Sequence, residues 1–183
     1  MKNQWEISVP SYEKERIAIT YGDPADALIA VEDYALHPLP DAITNWHAIV
    51  PLFTPSHWYD ITAFYSRRKM DLNKKDSKLL SDFNQKSFDA AKEKGGLVLY
   101  YQGVLLSNTN ESINPDLTLS FIPNCMSFCI WNTLQEAKEG AKIPEHKKAS
   151  QMTTHWFDGF SIIKYDVMLK VNAEQNTLIF QKK

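Results

Sequence analysis

The stretch Ser127 to Met168, SFCIWNTLQEAKEGAKIPEHKKASQMTTHWFDGFSIIKYDVM, constrains the fold more than any other part of the chain. An apolar strand ends at Trp131 and leads into a helix that starts at Asn132 or Thr133, where Glu136 in the first turn makes a capping arrangement. Gly140 weakens that helix, and Pro144 opens a second segment, Pro144 to Asp158. A long strand, Phe160 to Val171, follows, with apolar side chains on both of its faces. Strand, helix, strand in this order is half of a ferredoxin-like unit.

The preceding residues supply the other half. From Trp58 to Tyr65 the chain alternates, with Tyr59, Ile61, Ala63 and Tyr65 on one face and Trp58, Thr62 and Phe64 on the other, as a strand does. Asp76 to Lys94 carries Leu79, Leu80, Phe83, Ser87, Ala90 and Ala91 at helical spacing, and Gly95-Gly96 ends it. Gly96 to Leu106 reads as a strand, Asn108 to Pro115 as a polar loop, and Met126 to Trp131 as a third strand. Thr177 to Gln181 predicts a short edge strand. The expected fold is therefore α+β: a ferredoxin-like four-stranded antiparallel sheet with two helices on one face.

Two helices on one face leave the other face of the sheet bare, yet the strands are apolar on both sides, so something must cover it. A second copy pairing through that face is the favoured covering, and the amino-terminal segment folded across it is the alternative. Residues 1–55 hold six of the nine prolines and no clear periodicity, which predicts an irregular extension packed on a domain spanning 56–183.

Composition narrows the function classes. A formal net charge of -2 over 183 residues supplies no basic face for nucleic acid, and the cluster Arg67-Arg68-Lys69 with Lys74 and Lys75 is broken by Asp71 and Asp76. No window approaches the ~18 apolar residues of a membrane span. The amino end lacks the apolar core of a secretory signal, so a cytoplasmic protein is expected. Its two cysteines, Cys125 and Cys129, lie four apart in a strand, ~13 Å between Cα atoms, beyond the ~7 Å that a disulfide tolerates. Free thiols fit a reducing compartment. His37, His47 and His57 lack ligand spacing for zinc, and no phosphate loop, Gly-x-Ser-x-Gly elbow or His-Glu-x-x-His is present.

Between Ser127 and Val167 the order of residues resembles the dimeric α+β barrel superfamily, which includes antibiotic-biosynthesis-type, short heme-degrading and spheroidene monooxygenases. The resemblance is carried by a strand ending in Trp (Cys129-Ile130-Trp131-Asn132-Thr133) and a helical His after a small-residue turn (Pro144-Glu145-His146-Lys147-Lys148-Ala149). The aromatic exit Trp156-Phe157 and the strand Ser161-Ile162-Ile163-Lys164-Tyr165 complete it. It implies a homodimer, a monooxygenase-like activity, and His146 in the context of a heme ligand or catalytic base.

His146, Ala149, Met152 or Thr153, and Trp156 recur at three to four residues, and a neutral imidazole there could ligate heme, with Met152 and Trp156 beside it, or act as a base. The competing reading of His146 is a structural histidine. Phe64, Tyr100, Tyr101, Trp131 and Trp156 could line a pocket between sheet and helices for a small apolar or aromatic molecule, or simply be core. Asp166 and Lys164 alternate out of the last strand, toward a pocket or a solvent rim. The expected function is a monooxygenase-like protein binding such a ligand, with heme as a candidate cofactor. The alternative is a non-catalytic ligand-binding or assembly protein of the same fold, its pocket filled by its own aromatics and plugged by the extension.

Overall fold

A computed structural model describes residues 3–9, 23–107, 112–173 and 175–183. The expected polar loop at Asn108 to Pro115 lies outside them from 108 to 111, as does the extension from 10 to 22. Strands β1 (Gln4–Val9), β2 (Trp58–Arg68), β3 (Leu97–Gln102), β4 (Cys125–Trp131), β5 (Phe157–Val171) and β6 (Asn176–Lys182) form one antiparallel sheet in the order β1-β6-β5-β2-β4-β3. The middle of that order, β5-β2-β4-β3, is the ferredoxin-like arrangement, with β4 inserted between β2 and β3 and β2 inserted between β4 and β5. The sheet thus has six strands: the expected four, β6 where Thr177 to Gln181 predicted a short strand, and β1, which takes the edge beyond it. β6 pairs with β5 from Tyr165↔Lys182 to Val171↔Asn176, and β1 pairs with β6 from Gln4↔Gln181 to Val9↔Asn176. β1 arises from QWEISV, six residues whose Trp5, Ile7 and Val9 alternate with polar ones.

Helix α2 (Lys74–Lys94) joins β2 to β3. The Asn73 side chain caps it by accepting a hydrogen bond from the Asp76 amide at 2.9 Å, and Gly95 at φ 86° ends it. Between β4 and β5 stand α3 (Leu134–Ala141), α4 (Pro144–Gln151) and the single turn α5 (Thr153–Trp156). Thr133 caps α3 by accepting from the Glu136 amide at 3.1 Å, as the first-turn Glu predicted. The expected segment Pro144 to Asp158 is shorter and broken at Met152, because β5 takes over from Phe157.

Alternation along each strand sorts the sheet into two faces. On one, Tyr59, Ile61, Ala63 and Tyr65 of β2 join Met126, Phe128 and Ile130, then Ile163, Tyr165, Val167 and Leu169, and finally Leu178 and Phe180. What covers this face is the chain itself: Leu28, Tyr34, Leu39, Ile43, Trp46, Ile49, Val50 and Phe53 pack against it in the main core. The covering expected from a second copy is supplied instead by residues 28–53. The physical reason lies in the prolines. Pro38, Pro40 and Pro51 shape the helical turn α1 (Leu39–Ala42) and the 3₁₀ turns at Tyr34–Leu36 and Trp46–Leu52, each of which turns apolar side chains downward. Trp46 anchors this layer: its Nε1 donates to the Pro40 carbonyl at 3.0 Å, and its ring centroid lies 4.9 Å from Phe180 and 5.7 Å from Phe128.

Candidate functional site

The second face of the sheet carries the helices and the chemistry. Cys129 and Trp131 of β4, with Phe64 and Tyr100 beside them, pack against Ala91, Ala137 and Ile143. Gly140 of α3 rests on the Trp131 ring, so closely that a Cβ at that position would overlap the ring atoms. This is the positional reason for a glycine in a helix where it lowers propensity. Burial raises the Cys129 thiol to about 12, against a small opposing effect of the Lys164 charge, so it behaves as a core side chain rather than a nucleophile. Both cysteines are free thiols.

Of the residues singled out from the sequence, Phe64, Tyr100 and Trp131 share this helix-side layer, whereas Tyr101 points to the opposite face, stacked on Phe128 with centroids 5.1 Å apart. Trp156 is fully buried against Phe83 at 5.5 Å, and its Nε1 makes no hydrogen bond. Met152 caps the end of α4. His146 stands in the first half of α4, half-buried, with a buried Nδ1 that has no hydrogen-bond partner. Burial lowers its pKa, with the Glu145 charge raising it in part, so the imidazole is neutral near pH 7.

That shift has a consequence for stability. The unfolded chain takes up a proton at His146 near its ordinary ~6.5, while the folded chain resists it until lower pH. Stability is therefore expected to fall as pH drops below ~6.5 and through the lowered folded value. Urea unfolding of the wild type and of His146→Gln across this range should give a shallower decline in the variant; equal slopes would contradict it.

A cleft of about 460 Å³ opens on the β3 edge, between the turn at Pro24–Ala27, α2 and β3. Phe88, Tyr100 and Tyr101 form its aromatic side, with the Phe88 and Tyr100 centroids 5.5 Å apart. Asn84, Gln85 and Gln102 offer amides, and Asp23 and Asp26 stand at the amino-terminal rim. Burial raises the pKa of both Tyr100 and Tyr101, which stay as neutral phenols. Tyr100 and Tyr101 were legible as site candidates. Phe88 and the amides were not, because an aromatic and two amides on one helix face are ordinary surface until a strand edge is placed beside them.

His146, Met152 and Trp156 do not line this cleft. A heme beside His146 would need an apolar slot flanked by Trp156, and that side chain is already 1% exposed and packed on Phe83. The residues present do not fit the group. Among the described residues no three His, Cys, Asp or Glu side chains converge as metal ligands would, and no helix is long and apolar enough to cross a membrane.

Across the sheet from the cleft, the helix-side row holds a charged cluster. Asp60 on β2 is 1% exposed, accepts from Lys183 Nζ at 2.6 Å, and pairs in register with Asp166. Lys183 also reaches Asp166 at 2.7 Å. Burial alone would lower the pKa of this ammonium, but the hydrogen bonds and charges of Asp166 and Asp60 raise it. Lys164 and Asp166 do leave β5 on one face, and the partner not singled out from the sequence is Asp60. Its signal was a carboxylate inside a strand apolar on both faces.

The strand order and register define this as a ferredoxin-like α+β protein. A family model described as PB2B2.08-like matches residues 26–181, and the chain belongs to that family. The match includes the segment that covers the helix-free face. No curated protein matches the chain in sequence. Among solved structures it is similar to a hydroxynitrile lyase from Passiflora edulis, with 12% identity over 65% of this chain and 97% of that one and a TM-score of 0.45. A dimeric ferredoxin-like protein of unknown function from Thermobifida fusca is similar at 9% identity over 61% and 92%, TM-score 0.42. A protein of Nitrosomonas europaea described as an antibiotic biosynthesis monooxygenase is similar at 8% identity over 61% and 91%, TM-score 0.38.

Proposed function

We propose that this PB2B2.08-like protein binds a small aromatic molecule in the cleft between residues 23–28, α2 and β3, as a ligand-binding rather than a catalytic member of its fold. The observation that carries the reading is the cleft lining: the aromatic side chains of Phe88, Tyr100 and Tyr101 for a planar ligand, with the amides of Asn84, Gln85 and Gln102 to orient it. The extension lying over the helix-free face supports the same reading, since it fills with core side chains the space that a barrel would otherwise offer.

Indole is a suitable probe, being planar with one donor. Ligand-observed NMR titration should give saturable binding that weakens about tenfold in Phe88→Ala, as expected when an aromatic contact and its buried area are lost, and that is unchanged in His146→Ala. Binding that is unsaturable, or indifferent to Phe88, would refute the cleft.

The second reading is monooxygenase-like chemistry at His146, and it has one observation in its favour, the buried and unpartnered Nδ1 of a neutral imidazole. Hemin titrated into the protein and followed by absorbance is expected to give no saturable Soret band. A band that vanishes in His146→Ala would move the function to this reading. A homodimer in the cytoplasm belongs to the proposal. Its support is the exposed apolar pair Val104 and Leu105 beyond the cleft, 75% and 37% exposed, and the two free thiols suit a reducing compartment.

A further inference from the structure

The cleft on the β3 edge has a charge as well as a shape. Of the ten described residues that line it, two are carboxylates, Asp23 and Asp26, and none is a lysine, arginine or histidine. Both carboxylates are exposed, at the start of the 3₁₀ turn Pro24–Ala27. Asp23 Oδ1 accepts from the Ala25 amide at 2.9 Å and so caps that turn. Capping does not occupy Asp26, whose side chain has no hydrogen-bond or ion-pair partner among the described residues.

The neighbouring groups lean the same way. Gln85 Nε2 donates to Asp89 Oδ1 at 2.8 Å, so what this side chain has left for a ligand is its carbonyl oxygen, an acceptor. Lys92, one turn beyond Phe88 on α2 and outside the lining, holds its Nζ 5.9 Å from the Phe88 ring centroid, which marks that ring as one a cation approaches. Exposed charges are weak one at a time, but two of one sign in a concave site with no opposite charge in its lining set a field that sorts ligands. An aromatic carboxylate would be repelled, and a neutral ring would leave the rim unused. An alkylammonium is protonated at pH 7, as a lysine is, and on a short arm it would bring its charge to the rim while its ring stays among Phe88, Tyr100 and Tyr101. The volume of about 460 Å³ lies within the ~300–1,000 Å³ of small-molecule sites and suits one ring system with such an arm. We infer, taking the cleft as the ligand site proposed above, that it selects an arylalkylamine, held by its ring at the aromatic side chains and by its ammonium at Asp23 and Asp26.

The test compares three probes that share a ring and differ in charge, indole, tryptamine and indole-3-propionate, by ligand-observed NMR titration of the full chain at low salt. Tryptamine is expected to bind about fivefold tighter than indole, as two exposed ion pairs allow, and indole-3-propionate to bind more weakly than indole. The ratio of tryptamine to indole affinity should shrink toward one in about 1 M salt, where the screening length is ~3 Å. It should do the same in the double variant Asp23→Asn, Asp26→Asn, because an asparagine side chain keeps the cap. Tryptamine binding should weaken in Phe88→Ala as indole binding does. Saturable indole binding with no preference for tryptamine, or a preference that survives the double variant, would overturn the amine selectivity and leave the cleft in place as the site. Tryptamine binding indifferent to Phe88 would put the amine elsewhere on the surface and overturn it as well. No saturable binding of any of the three probes would remove the cleft and the amine together.

Discussion

Trp46→Ala is expected to lower the melting temperature by roughly 10 °C, the largest effect of any single truncation in the covering layer. The side chain is 1% exposed, wedged between Phe128 of β4 and Phe180 of β6, and tied to the Pro40 carbonyl. Removing a buried indole costs about 3–5 kcal/mol, a large share of the ~5–15 kcal/mol that holds a domain together. The layer has little means of closing the gap, because its path is set by prolines on both sides of the indole. Thermal unfolding followed by circular dichroism measures the shift, with Ile29→Ala, at 61% exposed, as the neutral comparison. A Trp46→Ala protein that melts within a degree or two of the wild type would mean that residues 28–53 are dispensable dressing. The layer would then not be part of the core.

Gly140→Ala should destabilise, against the direction that helix propensity predicts. In an exposed helix the exchange gains about 1 kcal/mol. Here the added methyl meets the Trp131 ring, which is 4% exposed and cannot move aside without disturbing Ala137 and Ile143. Overpacking of this kind costs about 1–3 kcal/mol, which offsets the gain and leaves a net loss of up to about 2 kcal/mol, read as a lower midpoint in urea. The same substitution also separates two accounts of the helix-side layer. If α3 can lift from the sheet to admit a ligand beside Trp131, Gly140→Ala will be tolerated or stabilising; if α3 is seated, it will not.

The four central strands and the helices between them were legible in the residues. Alternation in Trp58 to Tyr65, the helical stripe of α2 and the Thr133–Glu136 cap are local signals, set by side-chain direction within a few residues, and they lead to the ferredoxin-like order. β1 was missed because six residues next to an irregular, proline-rich stretch hold no signal of a partner 170 residues away; only pairing with β6 makes QWEISV a strand. The break of the last helix at Met152 was hidden for a related reason. Thr153 to Trp156 has helical spacing, but the β5 ladder claims the chain from Phe157 onward, with Arg68 opposite it.

The sites divide in the same way. His146, Met152, Trp156, Phe64, Tyr100, Tyr101 and Trp131 could be picked out by residue type and spacing, but which of them share a face with which partner depended on strands far apart in the chain. Tyr100 and Tyr101 are neighbours in sequence and lie on opposite faces. Asp60 and Lys183 are 123 positions apart and meet because β5 lies between β2 and β6. By itself the sequence determined the α+β class, the element order and the need to cover a sheet apolar on both sides, since these follow from periodicity and the aversion of apolar surface for water. Tertiary structure decided what does the covering, where a cleft opens and which buried carboxylate meets Lys183. These depend on long-range packing and on register between distant strands, and no local pattern of residues encodes either.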